Sequence, residues 1–344
     1  MAAGNAGRPR WVRRPEGSNW GDFGPDDQLG RMNLITREVR RAALAEAREG
    51  LAFCLSLPLD YPGGDAQPEA RKAPRLFSTT DGEGGDWYNL PMGIGTDRPR
   101  GVVCDDGVVL HTQYSTQWDS LAHWGARFDA DGDGIAEIVY YNGYRADEHL
   151  IAPQGGHPPR AAALGIENLA ANCAQGRAVV LSLVEHFGAG RTWVDFEMLE
   201  QAMRAQRVEV RRGDFLLLHA GLDDALLRMG KQPSDVLHTV GAVLDGRDER
   251  LRNWIDRSGL VAICSDNQAV EGVGFADHEA GDHTMLPLHE LCLFKLGIHL
   301  GELWRIGELS RWLLQERRTA CLLTAPPLRL PGAVGSPVTP VATV

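Results

Sequence analysis

Apolar and polar positions along the chain fall into two periods, and the periods mark the elements. Thr36 offers an N-cap for a helix running through Glu49, with Val39, Ala42, Ala43 and Ala47 on one face and Gly50 as the stop. "LAFCLSLPL" then alternates with period two, as a half-buried strand does. "RAVVLSLV", "GDFLLLHAG" and "LVAICSD" are short apolar runs bounded by turn residues, the pattern of strands buried on both faces. Helical periods separate them. "DFEMLEQAMRAQ" sets Phe196, Leu199 and Met203 on one stripe behind Asp195 as a cap, and "PLHELCLFKLG" starts on Pro287 and stops at Gly297. "VVCDDGVVL" reads as two strands around an Asp-Gly turn. Residues 60–100 show no regular period, so a stretch of that length reads as a pocket cover. The tail "APPLRLPGAVGSPVTPVATV" is too rich in proline for a helix or a central strand. No internal repeat is visible. Strands and helices mix without a composition break, which predicts one α/β domain over residues 21–344, preceded by a flexible arm over residues 1–20.

Composition narrows the partners. With 43% hydrophobic residues in 344, the chain can bury a sizeable core. A formal net charge of -11 and the lack of a dense Lys/Arg block argue against nucleic acid and against a polybasic membrane anchor, leaving small neutral or anionic molecules. The six cysteines are scattered without a CxxC pair, so they read as core thiols in a reducing compartment. No secretory leader and no apolar run long enough to span a bilayer is present, which predicts a cytoplasmic protein.

Most familiar chemistries can be set aside. "DADGDGIAEIVY" imitates a calcium loop from Asp129, but Tyr140 stands where a bidentate Glu is required, so it reads as an acidic turn. No GxSxG elbow, no GxxxxGK[ST] loop and no dinucleotide fingerprint occurs. What remains is "HTQYSTQWDSLAH", residues 111–123. Gln113, Gln117 and Asp119 are spaced four and two apart and His123 follows four later, a set that offers a cation one carboxylate and two amide oxygens beside an imidazole. The spacing alone suits a satisfied polar loop better than a metal site. Trp118 either lines a pocket or fills the core. Tyr141 and Asn142 are either substrate donors or turn residues. His111 and His219 read as ordinary strand residues, His278 and His283 as surface loop, and Asp266, at a strand end, as a reserve acid.

The stretch resembles the signature of the putative-cyclase or kynurenine-formamidase-like family of metal-dependent hydrolases, His-x-x-x-His-x-Asp-x-x-x-His. Gln113 and Gln117 stand at its two metal-histidine places, Asp119 at the shared aspartate and His123 at the catalytic histidine. "STQWDSLAHWG" with "YYNGYRA" is more similar to the branch that carries Gln-x-x-x-Gln-x-Asp-x-x-x-His, which includes zinc-dependent hydrolases of the trans-dienelactone hydrolase type. "WGDFGPDDQLGRMNLIT", "GDFLLLHAG", "PLHELCLFKLGIHLGELW" and "GSPVTP" extend the likeness over nearly the whole chain.

The resemblance implies a single domain with a mixed, β-barrel-like central sheet surrounded by helices, of the swivelling β/β/α type. It also implies metal ligands at Gln113, Gln117, Asp119, His289 and Glu302, the last two standing where the two-metal members complete their second site. The resemblance makes Zn the first ion expected; amide oxygen, a harder and weaker donor than imidazole, lowers Zn affinity and tolerates Mn comparatively better, which makes Mn the second. The implied reaction is hydrolysis of a lactone, a cyclic amide or a formyl amide by metal-activated water, with His123 as general base and then acid. Its partners would be a small-molecule substrate and further copies of the chain, as a homodimer or homotetramer. Two rivals stay open: a cyclase or dehydratase that makes or breaks a ring, and a metal-free member that only binds a small ligand.

Overall fold

The computed structural model describes residues 10–64, 71–80, 82, 84–93, 98, 100–232, 239–273 and 284–344. A curled, half-barrel sheet of nine strands forms its centre. In chain order the strands are β1 (Ala52–Cys54), β2 (Gln117–Asp119), β3 (Gln175–Ser182), β4 (Phe215–His219), β5 (Ala262–Ser265), β6 (His299–Glu302), β7 (Ala320–Thr324), β8 (Gly335–Pro337) and β9 (Val341–Thr343). Their spatial order is β1-β9-β7-β3-β4-β5-β6-β2-β8. β3 to β6 run parallel, and every other neighbouring pair is antiparallel.

The continuous apolar runs sit in the parallel centre, where both faces are covered. Val179, Leu181, Leu216, Leu218, Ile263 and Leu300 enter one core, and Ala178, Val180, Phe215, Leu217, Ala262 and Cys264 enter the other. Helices α1 (Arg37–Leu44), α2 (Phe196–Gln206), α3 (Leu222–Met229), α4 (Glu249–Ser258) and α5 (Gly307–Gln315) pack around the sheet. Thr36 and Asp195 cap α1 and α2 as expected, accepting hydrogen bonds from Val39 N and Met198 N. Among the described residues no helix is long and apolar enough to cross a membrane.

Several local expectations are corrected. The first helix stops at Leu44 rather than Glu49. "PLHELCLFKLG" is one α-turn, Pro287–His289, running into a π-wound segment, Glu290–Leu296. Gly297 ends it at φ 60, and its carbonyl accepts Arg31 N at 2.7 Å. The two halves of "VVCDDGVVL" do not pair with each other. Residues 101–103 pair with Leu90–Met92 and residues 106–109 with Arg75–Ser78, so the stretch expected to lack regular structure supplies two strands. The apolar alternation marks a strand but says nothing about which partner it finds. The tail, expected from its prolines to form neither helix nor central strand, contributes β8 and β9 to the main sheet. Pro337 is tolerated at the edge, and β9 is a proline-free "VAT" that slots between β1 and β7. Of the cysteines expected in the core, Cys264, Cys292 and Cys321 are buried, whereas Cys54, Cys104 and Cys173 are exposed. Residues 1–9 of the expected arm lie outside the described residues. From Arg10 onward the segment is docked: Val12 N and Arg13 N donate to Ala130 O, and the fully buried Trp20 donates its indole N–H to Phe294 O.

Candidate metal centre

Strand pairing assembles the site. β2 and β6 run antiparallel with Gln117 directly opposite Glu302, and Asp119 follows two residues on, so these three side chains share one face. Gln117 Nε2 donates to Glu302 Oε2 at 3.0 Å. His289 arrives from the turn before the π-wound segment and brings Nε2 to 3.5 Å from Glu302 Oε1. One ligand atom each from Asp119, His289 and Glu302 lies within 4.8 Å of the others, and all three residues are buried. Among the described residues, Asp119 Oδ2 and Gln117 Oε1 are buried with no hydrogen-bond partner. Orphaned acceptors at a convergence of carboxylates suit a divalent cation: they are the lone pairs such an ion would satisfy.

A carboxylate absent from the sequence reading stands behind the imidazole. Glu271 accepts Leu288 N and His289 N, each at 2.8 Å, and faces His289 Nδ1 at 2.9 Å. This fixes the ring and leaves Nε2 for the site, the usual support for a metal-binding histidine. Burial opposes charge on His289, but the hydrogen bonds to Glu271 and Glu302 outweigh it and hold the ring up at about 10. Burial, with Asp119 nearby, pushes Glu302 up to about 7 against the pull of His289.

His123 stands beside the carboxylates, with Nε2 3.9 Å from Asp119 Oδ1 and 21% of its side chain exposed. Burial holds it below its ordinary 6.5, and the charges of His289 and Arg71 add to this against the opposing Asp119. The ring is therefore neutral near pH 7 and able to take a proton. It lines a cavity of about 690 Å3 whose wall is largely apolar, including Ile138, Tyr140, Leu150, Ile151 and Val334. Arg71, from the stretch read as a pocket cover, is close enough to act on both His123 and Glu302.

Other expected residues fall elsewhere. Gln113 joins none of these contacts. Its Oε1 accepts the Thr112 hydroxyl at 2.7 Å, and its Nε2 lies against Gly335, where an added Cβ would sit 2.3 Å away. Trp118 points to the opposite face of β2, fully buried, its indole N–H donating to Ala325 O at 2.8 Å and its ring edge-on to Trp304. It is core rather than pocket. Tyr141 and Asn142 are likewise fully buried and hold the N-terminal segment: Tyr141 donates to Asp27 Oδ2, and the Asn142 amide bonds Gly24 O, Pro25 O and Asp27 O. His299 was also missed. It is buried in β6 with Nδ1 3.1 Å from Asp119 O, where it steadies the strand that carries the aspartate.

The acidic turn is a turn: Asp129 accepts Gly132 N and Gly134 N, while Arg13 pairs with Asp129 and Arg145 with Asp131 and Glu137. His278 and His283 lie outside the described residues.

Residues 55–272 match the model of a family described as putative cyclase. A crystal structure of a novel cyclase is 29% identical, covers 95% of this chain and 97% of its own, and superposes with a TM-score of 0.74. Isatin hydrolase A from Labrenzia aggregata, bound to benzyl benzoate, is 14% identical over 86% of this chain and 93% of its own, with a TM-score of 0.55. Isatin hydrolase A from Ralstonia solanacearum is 13% identical over 89% and 97%, with a TM-score of 0.54. These two share the fold. No curated protein sequence matches the chain.

Proposed function

The chain belongs to the putative cyclase family, and on that footing we propose that it is a divalent-metal-dependent hydrolase that opens a lactone, a cyclic amide or a formyl amide. The observation that carries the reading is the convergence of buried Asp119, Glu302 and His289 with two acceptor atoms left unpartnered among them. Asp119, Glu302 and His289 would hold the ion, with Gln117 Oε1 beside them. A bound divalent cation supplies Lewis acidity that polarises a carbonyl and acidifies water.

The remaining work falls to the chain's own residues. His123, neutral at the cavity wall, takes a proton on the nitrogen that faces Asp119 and returns it to the leaving group. Glu271 keeps the His289 ring oriented. The apolar wall of Ile138, Leu150, Ile151 and Val334 receives the body of the substrate and keeps bulk water from it. The likeness to two isatin hydrolases supports the hydrolytic reading by fold alone.

Metal analysis of protein purified without chelators, followed by a screen of lactones, imides and N-formyl aromatics on the Mn2+- or Zn2+-loaded protein, tests it. Asp119→Ala should lose the ion, and His123→Ala should keep the ion while turnover falls by about 10^2 to 10^4. Silence of the loaded wild type across the whole panel refutes the hydrolase reading, and an ion retained by Asp119→Ala refutes the site.

A further inference from the structure

The opposite face of the sheet carries a second buried cluster. Ser182 and His219 are register partners at the carboxyl ends of β3 and β4, and Asp266 follows the last residue of β5. Alternation places them with Val180, Leu217 and Cys264, on the face away from Leu300 and Glu302. Asp223, in the first turn of α3, completes the group. His219 is 3% exposed and both aspartates are fully buried.

The hydrogen bonds leave a gap of definite chemistry. His219 Nδ1 is engaged by Ser182 Oγ at 3.2 Å. Its Nε2 has no partner among the described residues and points at Asp223 Oδ1 from 3.8 Å. That is too long for a hydrogen bond, so the ring nitrogen and the carboxylate face each other across a gap that neither fills. Asp266 is held as an acceptor by Ala220 N, Gly221 N and Asp223 N at 2.6, 2.7 and 3.3 Å. Asp223 accepts Asp224 N and Gly307 N, each at 2.7 Å. The nearby guanidinium of Arg311 is already paired with Asp224. Among the described residues neither buried carboxylate is ion-paired with a Lys or Arg, and burial with mutual repulsion pushes Asp223 up to about 7 while burial pushes His219 down. Gly307 keeps the gap open: an added Cβ would lie 3.1 Å from His219 Nε2 and 3.1 Å from Asp223 Oδ2.

We propose that His219, Asp223 and Asp266 form a second cation site, taking a divalent ion of the Mn2+ or Zn2+ type through His219 Nε2 and one oxygen of each aspartate. One ligand atom from each residue lies within 4.8 Å of the others, and His219 Nε2 is 3.8 Å from Asp223 Oδ1. Ligands held at roughly 2.0–2.2 Å from a common ion stand about 3–4.4 Å apart, so only slight closure is required. The imidazole selects against Mg2+ and Ca2+. Full burial leaves no room for a substrate, so the ion's work is structural: it fastens the first turns of α3 and α5 to the ends of β4 and β5. The site shares no residue with the Asp119 centre and does not depend on the proposed hydrolysis.

The test counts ions per chain after loading with Mn2+ alone or Zn2+ alone and desalting, and locates Mn2+ by anomalous diffraction from crystals of the loaded wild type. Asp223→Asn and Gly307→Ala, the latter plugging the gap without removing a ligand, should each carry one ion fewer than wild type and melt at lower temperature. Asp119→Ala should keep this ion. An anomalous peak at bonding distance from His219 Nε2 supports the proposal even if Asp223→Asn fails to fold. No peak there, with Gly307→Ala carrying the wild-type number of ions, overturns it and assigns the cluster to protons. A peak at His219 without one at Asp119 would sink the hydrolase reading and leave this one standing.

Discussion

Loading the Asp119 centre should expel a proton from His289. The ring stands between Glu271, 2.9 Å from Nδ1, and Glu302, 3.5 Å from Nε2, and these carboxylates hold it up at about 10 despite its burial. A ring that titrates there is about 99% protonated at pH 8, and Nε2 cannot ligate an ion until that proton leaves. The competition weakens apparent affinity at pH 8 by about 100-fold and by about tenfold more for each pH unit below. Glu302, at about 7, is mostly ionised at pH 8 and contributes little there. At the second cluster burial raises Asp266 as well as Asp223, so its proton release is read separately, on Asp119→Ala protein.

Calorimetric titration of the chelator-stripped protein with Mn2+, in buffers of different ionisation heat, reads the proton count directly. About one proton per ion bound at the Asp119 centre is expected at pH 8, rising as the pH falls through 7. Glu271→Gln removes one of the two carboxylates while preserving shape, so its count at pH 8 should drop toward zero. Zero release by wild type at pH 8, or a count that Glu271→Gln leaves unchanged, would refute the reasoning.

Three further outcomes follow from the same groups. Without metal the protein should lose stability as the pH rises. His289, raised above 6.5, contributes stability that is fully present below its unfolded value and lost through about 10, and Glu302, raised above 4.5, is penalised on ionising through about 7. Urea unfolding of the metal-free protein at pH 6 and pH 9 checks this, and equal or greater stability at pH 9 counts against it. Trp118→Phe should cost about 3 kcal/mol from the lost indole hydrogen bond and the smaller ring, with metal content unchanged because the side chain points away from the site. Metal loss at unaltered stability would contradict the β2 register. Gln117→His should shift preference toward Zn2+ over Mn2+ by about tenfold in competition dialysis, and an unchanged ratio would show that position 117 does not ligate.

The parts of the site that were legible in the sequence are those held on one strand. Gln117, Asp119 and His123 lie within seven residues, and their mutual placement follows from β2 and the turn after it. The buried runs of β3, β4 and β5 were equally readable, because burial on both faces leaves an unbroken apolar signal. His289 and Glu302 came only from the family likeness, since their place depends on β6 pairing with β2. Glu271 carried no signal: it follows β5 in a loop without periodicity, and its role appears only when the turn at Pro287 folds over it. In sequence Trp118, Tyr141 and Asn142 stay open between pocket and packing: alternation along β2 turns Trp118 to the face opposite Gln117 and Asp119, and Tyr141 and Asn142 sit in a buried 3-10 turn against the N-terminal segment.

Of the two glutamines, Gln117 acquires a physical meaning from this geometry. Gln117 donates through Nε2 to Glu302 while its Oε1 has no hydrogen-bond partner among the described residues, so one neutral side chain steadies a carboxylate and would offer an oxygen to an ion. An imidazole at 117 would add a titrating group beside Glu302 and within a shell that already contains His289, and the two rings would compete for protons. With an amide there, the protons an entering ion must displace are concentrated in the His289–Glu302 pair. That concentration is what makes the count at pH 8 diagnostic. It also predicts that Gln117→His, whatever it gains in Zn2+ preference, will make the release depend more steeply on pH between 6 and 8, because a second group then titrates beside Glu302 in that window.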